Sequence, residues 1–434
     1  VTRAPLLVYN LFPTLAGPPE RWIDHARRAR RMGFDWLYLN PFHYPGFSGS
    51  LYAIKEHERL HPALVPAGGA RSLEVLRPVL RAIRDLGLGA LMDLVVNHVA
   101  RDSPLVTRRP GWFRRDAGGQ VVSPRAIDPA DASNVTVWGD LAEVDNETAE
   151  DREGLWAFWE ALVRRGLDLG FAGFRCDAAY KVPAALWGRL IERARQARPD
   201  VLFVAETLGC RLEEMAALAD AGFDYFYNSS KWWDFEAPWA LEQHERFGRV
   251  APSIAFPESH DTPRLAAETG GSQAIQRQRY AFAAFFSGGA QITMGYEFGF
   301  RRALDVVATR PEDWEEPAFD LTDFIAGVNA LKHGHPLLHR EGRLWPLASP
   351  APAVTVLRRW SDDAGSHRGL ILINRDPTGE REVSPQGWDL PGTFRLHRPW
   401  DGARPRQGAP LTWPLRLAPA EVALVASPLD GGGA

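Results

Sequence analysis

The sequence predicts an α/β chain built on a closed (β/α)8 barrel, with a short irregular insertion after the third strand and a C-terminal β-sandwich. Three observations carry this. Eight short apolar runs alternate with helical patterns between residues 6 and 294. Sustained periodicity fails between His98 and about Glu150. After Pro336 the helical patterns give way to short β-like runs separated by Pro and Gly.

The eight runs fall at residues 6–10, 36–40, 90–96, 171–177, 201–206, 223–226, 253–256 and 290–294. Strands that alternate with helices form a parallel sheet, and eight such units imply closure into a barrel. Between the runs, Leu76, Val79, Leu80, Ile83 and Leu86 line one helical face before Gly87, and Leu155, Phe158, Trp159 and Leu162 line another before Gly166. Pro183 suits a first helical turn, with Leu186, Trp187, Leu190, Ile191 and Ala194 following on one side. Pro104, Pro110, Gly118, Gly119, Pro124 and Pro129 punctuate the insertion. The β-like runs at 354–358, 369–374, 393–397 and 421–426 predict the sandwich. The expected boundaries are therefore 1–97 and 151–340 for the barrel, 98–150 for the insertion and 341–434 for the β-sandwich. Gly432 and Gly433 are expected to fray.

Composition narrows the function classes. Of 434 residues, 45% are hydrophobic and 24% charged, as in a soluble globular chain, and no apolar run approaches the ~20 residues of a membrane span. The start VTRAPLLVYN has no basic n-region, long h-region and cleavage site, so no signal peptide is expected. A net charge of −4 from 50 basic and 54 acidic residues offers no basic surface for phosphate backbones, which argues against nucleic acid. Cys176 and Cys210 are the only cysteines. They predict free thiols in a reducing, cytoplasmic setting and leave no disulfide framework or cysteine-based metal site.

Active-site groups of such barrels project from the C-terminal ends of the strands, and here those ends are polar. The third run ends Asp93-Leu-Val-Val-Asn97-His98, the fourth carries Arg175-Cys-Asp177, the fifth ends at Glu206, and the seventh continues to His260-Asp261. Strand alternation puts Arg175 and Asp177 on one face and Cys176 on the other, and groups Asp93 with Asn97. Carboxylates from three strands then meet at the barrel mouth, where like charges raise at least one pKa. Cleavage of a glycosidic bond needs that division: one carboxylate ionised to attack the anomeric carbon, another protonated to release the leaving oxygen. Asp177, held by Arg175, suits attack; Glu206 suits the acid. Asp261 with His260 suits binding of sugar hydroxyls and of a flattened ring. Two readings stand for Asp93, a buried partner of Arg175 or a substrate ligand. Two also stand for Trp232 and Trp233, a sugar-stacking platform or loop packing.

The segments MDLVVNH, GFRCDAAY, VAE and FPESHD resemble, in order, the four signature regions of the α-amylase superfamily, and Asp177, Glu206 and Asp261 are spaced 29 and 55 residues apart as in that family. The resemblance implies Asp177 as nucleophile, Glu206 as general acid/base and Asp261 as transition-state stabiliser, with Arg175, His98 and His260 around the reacting sugar. Gly49-Ser-Leu-Tyr52 resembles the segment whose tyrosine stacks on that sugar. Trp138-Gly-Asp140-Leu and Gly295-Tyr-Glu297-Phe-Gly resemble further family segments. Where many members have Lys-His after the two alanines that follow the nucleophile, this chain has Tyr180-Lys181, and Ala53 replaces an acidic residue. Tyr180 and Lys181 are thus expected at substrate-binding positions. The family's usual calcium site is not expected, with Asp128, Asp131 and Asp140 the remaining candidate ligands. Tyr9-Asn10-Leu-Phe12-Pro13, Gly111-Trp112-Phe113 and residues 321–329 resemble the bacterial maltosyltransferase branch that uses maltose 1-phosphate.

The resemblance implies a retaining hydrolase of α-1,4-linked maltooligosaccharides and α-glucans as the leading reading, with an α-glucan transglycosylase as the alternative. A non-catalytic barrel like those of transporter ancillary subunits is the remote third. Such a barrel would have shed the carboxylates retained here.

Overall fold

Each of the eight apolar runs forms a strand: β1 Leu6–Leu11, β2 Trp36–Leu39, β3 Gly89–Leu94, β4 Gly173–Cys176, β5 Leu202–Ala205, β6 Tyr225–Tyr227, β7 Ser253–Ala255 and β8 Gly289–Thr293. All neighbours are parallel, and pairing of β1 with both β2 and β8 closes the ring. The computed structural model describes residues 5–428 apart from 67, 70, 128–132, 134, 249, 363, 386, 389, 391 and 400–407. The candidate ligands Asp128 and Asp131, and the terminal glycines, lie outside the described residues.

Strand alternation divides the core into two layers. Val8, Tyr38, Leu91, Val204, Tyr227 and Ile254 fill the barrel interior. Their neighbours Leu7, Tyr9, Leu37, Ala90, Phe203 and Ala255 point outward into the larger cluster formed with the helices. The helix Arg152–Leu169 shows why Gly166 interrupts an otherwise apolar face: a Cβ there would stand 2.9 Å from the Phe174 ring of β4. The small residue lets helix and strand approach closely.

The loops above the ring depart from the sequence reading in two places. The insertion is more ordered than an irregular segment, because His98–Ala100 pairs with Leu141–Glu143 and Arg125–Ile127 with Val135–Val137, both antiparallel. A further hairpin, His43–Pro45 with Ile54–Leu60, follows β2. The sequence IKEHERL hides this strand because only Ile54, His57 and Leu60 are buried along it.

C-terminal to the barrel, an antiparallel sheet runs in the order Arg343–Leu347, Val354–Trp360, Arg368–Asn374, Val422–Ala426, Arg395–His397 and Ala409–Pro410. A second sheet pairs Arg381–Val383 with Leu415–Leu417. Val356, Leu370, Leu372 and Val425 of the first sheet share a core with Val383, Leu415 and Leu417 of the second, a sandwich arrangement. The opposite face of the first sheet, through Leu357, Ile371, Ile373 and Leu424, joins the main core that includes the helix Gln273–Phe286. Lys332 and Arg359, both buried, donate to backbone carbonyls at this junction, Lys332 to Ala284, Ser287 and Leu338.

Candidate active site

The register of the barrel sets the site's first ion pair. Arg175 on β4 lies directly opposite Asp93 on β3. Both are buried, and the Arg175 Nη1 donates to Asp93 Oδ1 at 2.9 Å and to Asp177 Oδ1 at 2.7 Å. Its Nη2 stands 4.0 Å from Glu206 Oε2. One guanidinium therefore binds Asp177 directly and Glu206 only at a distance. The neighbouring carboxylates hold Arg175 firmly protonated against its burial.

Glu206 is held by the backbone. The Ala178 N–H donates to Oε2 at 2.8 Å and the Leu208 N–H to Oε1 at 2.6 Å. Ala178 reaches that position with a left-handed φ of 40°, an unusual conformation for alanine placed between nucleophile and acid. Burial, reinforced by the charge of Asp177, pushes Glu206 up to about 7, even though Arg175 pulls the other way. Burial also raises Asp177, and the charge of Asp261 adds to this, but its direct pairing with Arg175 opposes the rise. The two carboxyls thus sit in environments that separate their roles.

A second layer fixes the loops. Tyr52 sits between the strands of the hairpin after β2 and donates to Asp93 Oδ2 at 2.7 Å, as Tyr38 does at 2.6 Å. Since that hydrogen is committed to the carboxylate, the Tyr52 oxygen accepts from His260 Nε2, 2.7 Å away. The two rings lie parallel, 5.7 Å between centroids. His260 Nε2 is also 3.0 Å from Asp261 Oδ2. Burial and Arg175 lower His260 to about 3, so this link is made by a neutral imidazole. Glu258 and Arg264, a buried pair 2.7 Å apart, tie the same loop to the Met294 carbonyl at the end of β8. His98 is neutral by burial, lowered to about 4, and neither ring nitrogen has a hydrogen-bond partner of normal geometry.

These groups open onto one cleft of about 1790 Å3, lined by Tyr52, His98, Arg175, Asp177, Tyr180, Lys181, Glu206, Trp232 and Asp261. Asp93 and His260 lie directly beneath, bonded to lining residues rather than open to the cleft. Asp93 is thus buried and paired with Arg175. The tryptophan pair is split. Trp232 is 52% exposed in the cleft, whereas Trp233 is 1% exposed and packs against Phe235, Phe282 and Phe286. The expectation that Trp233 binds substrate is corrected. A single helical turn, Ser230–Trp232, ends between the two residues, and Trp233 continues in extended conformation.

Sequence reasoning missed Asn10, next to last in β1, and Asn40, which follows β2. Asn10 Nδ2 donates to Asn40 Oδ1 at 2.8 Å, and Asn40 Nδ2 to the hydroxyls of Tyr38 and Tyr52, both at 3.1 Å. The signal was present, since both stand at polar strand ends like those of β3, β4 and β5. Trp138, 43% exposed on the insertion, also lines the cleft and was not singled out as a contact.

Residues 2–113 match the family "Glycogen debranching enzyme, glucanotransferase domain". An α-1,4-glucan:maltose-1-phosphate maltosyltransferase of Burkholderia pseudomallei is 31% identical over 412 residues, 91% of this chain and 35% of that protein. The enzyme of the same name from Myxococcus xanthus is 28% identical over 89% of this chain and 58% of its own. The chain thus spans only about a third to three-fifths of these relatives. Among solved structures, an Anoxybacillus α-amylase superposes with a TM-score of 0.76 at 14% identity, covering 98% of each chain. A Lactobacillus plantarum α-amylase gives 0.75 at 19% identity, covering 97% of this chain and 98% of that one.

The chain has the fold of these solved α-amylases and is similar in sequence to the maltosyltransferases along most of its length. Set beside its superfamily resemblance, the Tyr180-Lys181 departure falls in the cleft wall, with Lys181 Nζ 5.1 Å from the Tyr180 ring centroid. No group of three or more His, Cys, Asp or Glu is placed to hold a metal ion among the described residues. Of the three candidate calcium ligands, Asp140 is the one within the described residues, and it lines the cleft. No helix among the described residues is long and apolar enough to cross a membrane.

Proposed function

We propose that this chain is a retaining α-glucan transglycosylase. It cleaves an α-1,4-glucosidic bond through a covalent glycosyl–enzyme intermediate and passes the glycosyl unit to a sugar hydroxyl. The observation that carries the reading is the asymmetric guanidinium: Arg175 pairs at 2.7 Å with Asp177 and stands 4.0 Å from Glu206. Asp177 is kept ionised and attacks the anomeric carbon. Glu206, protonated near neutrality, gives its proton to the departing glycosidic oxygen. The same carboxylate, now a base, takes the proton of the incoming hydroxyl as the ester is broken. Asp261 supports the positive charge that develops on the ring, and Tyr52 offers its face to the sugar. The relatives named as maltosyltransferases favour transfer over hydrolysis.

Hydrolysis is the second reading, with water intercepting the same intermediate, and the α-amylase fold of the solved neighbours supports it. Product analysis with maltoheptaose, alone and with maltose 1-phosphate or phosphate, separates the two. Transfer yields a ladder of chains longer and shorter than seven units with no net gain of reducing ends. Hydrolysis raises reducing ends throughout. NMR of the first-formed product distinguishes retention, expected here, from inversion.

The chemistry described needs no metal, and we propose none is required. Activity and melting temperature should be unchanged after EDTA treatment and dialysis. A loss restored specifically by calcium would identify a site built on Asp140 and residues of the insertion. The unpaired Cys176 and Cys210 support a reducing, cytoplasmic location.

A further inference from the structure

The cleft's charge bears on which donor it accepts. Among the described residues, eight acidic side chains besides the protonated Glu206, and five cationic ones, line it. Two of those cations are ion-paired and a third is bonded to a carbonyl. Arg175 serves Asp93 and Asp177. Arg114 lies within 3.3 to 3.9 Å of Glu143, Asp145 and Glu147. Arg115 donates to the Gly119 carbonyl at 2.6 Å. Arg125, Lys181 and Arg115, whose charge the carbonyl does not cancel, are what remains to face the surplus of negative charge. A sugar phosphate brings close to two further negative charges, and like charges placed together cost several kcal/mol unless cations or backbone N–H groups enclose the anion.

What the cleft does offer is exposed aromatic surface. Trp138 and Trp232 are large hydrophobic side chains left 43% and 52% exposed, and both face the cleft. Trp138 belongs to the insertion after β3 and Trp232 to the loop after β6, strands three places apart in the ring of eight, so the two rise from well-separated parts of the mouth. Val137 and Val307, 58% and 39% exposed, extend the apolar lining. Pyranose rings have apolar faces that cover such surfaces, with no demand for charge.

Resting on the function proposed above, we infer that this cleft takes its donor as an uncharged glucan chain held on Trp138 and Trp232, and discriminates against glycosyl phosphates. The relatives' printed donor, maltose 1-phosphate, is then not the preferred donor of this chain. The experiment compares kcat/KM for maltoheptaose, maltose 1-phosphate with a maltotetraose acceptor, and 4-nitrophenyl α-glucoside, in wild type, Trp138→Ala and Trp232→Ala. Calorimetric titration of Asp177→Asn with maltoheptaose and with maltose 1-phosphate gives a readout without turnover. We expect maltoheptaose to exceed maltose 1-phosphate by about 100-fold or more in wild type. Each tryptophan variant should lose about tenfold on maltoheptaose, through KM, and change little on the short aryl glucoside. Their melting temperatures should stay at the wild-type value, since neither ring is in the core. Equal or better use of maltose 1-phosphate overturns the charge argument. Tryptophan variants that lose both substrates equally, or neither, overturn the platforms. A wild type that binds or cleaves none of the three substrates overturns the α-glucan reading itself, and this inference with it.

Discussion

Asp177→Asn is expected to lower turnover of every α-glucoside by about 10^4-fold or more, because the amide neither attacks the anomeric carbon nor leaves as a carboxylate. The fold should survive. Arg175 keeps Asp93 as a bidentate partner, at 2.9 and 3.2 Å, so the substitution leaves no unpaired charge in the barrel. Loss of one charged contact in a buried network should cost stability modestly, while oligosaccharide binding persists through Tyr52, His98 and Trp232. The measurement is single-turnover cleavage alongside a melting curve and a titration with maltoheptaose. A variant that melts normally, binds and still turns over at a rate near wild type would remove Asp177 from the nucleophile's role. Collapse of the fold would instead show that the Arg175 network depends on both carboxylates.

Asp177 and Glu206 were placed at the barrel mouth because an ionisable side chain closing a buried strand is costly unless used, and strand alternation put Arg175 beside Asp177; Asp261, six residues beyond β7 and with its side chain 54% exposed, rested on the family resemblance. The role of Asp93 was not legible, because choosing between ligand and partner needs the inter-strand register, and only pairing across β3 and β4 sets it against Arg175. Trp232 and Trp233 were inseparable for a similar reason: alternation rules hold in strands and helices, and a turn follows neither. The strand Ile54–Leu60 escaped because its outward residues are charged and its inward ones include a histidine, so no apolar alternation marks it. The insertion's paired strands are three residues long, too short for any period to register.

Glu206→Gln should separate proton donation from attack. Its expected cost on maltoheptaose is about 10^3-fold, typical of a lost general acid, whereas formation of the intermediate from maltosyl fluoride, whose leaving group needs no proton, should continue. In the wild type, cleavage of glucan should decline as pH rises through about 7, because the acid must be protonated. Stability carries the same signature with a definite sign. The folded protein binds this proton more tightly than the unfolded chain, whose glutamate titrates near 4.5, so burial costs nothing below that value and progressively more up to about 7. The glutamine variant, with no proton to lose, should match wild type near pH 4 and exceed it at pH 8, by about 3 kcal/mol at most. Melting curves at the two pH values test this directly. Equal stability at both, together with a glucan rate that does not fall above neutrality, would mean that Glu206 is ionised throughout and that another group supplies the proton.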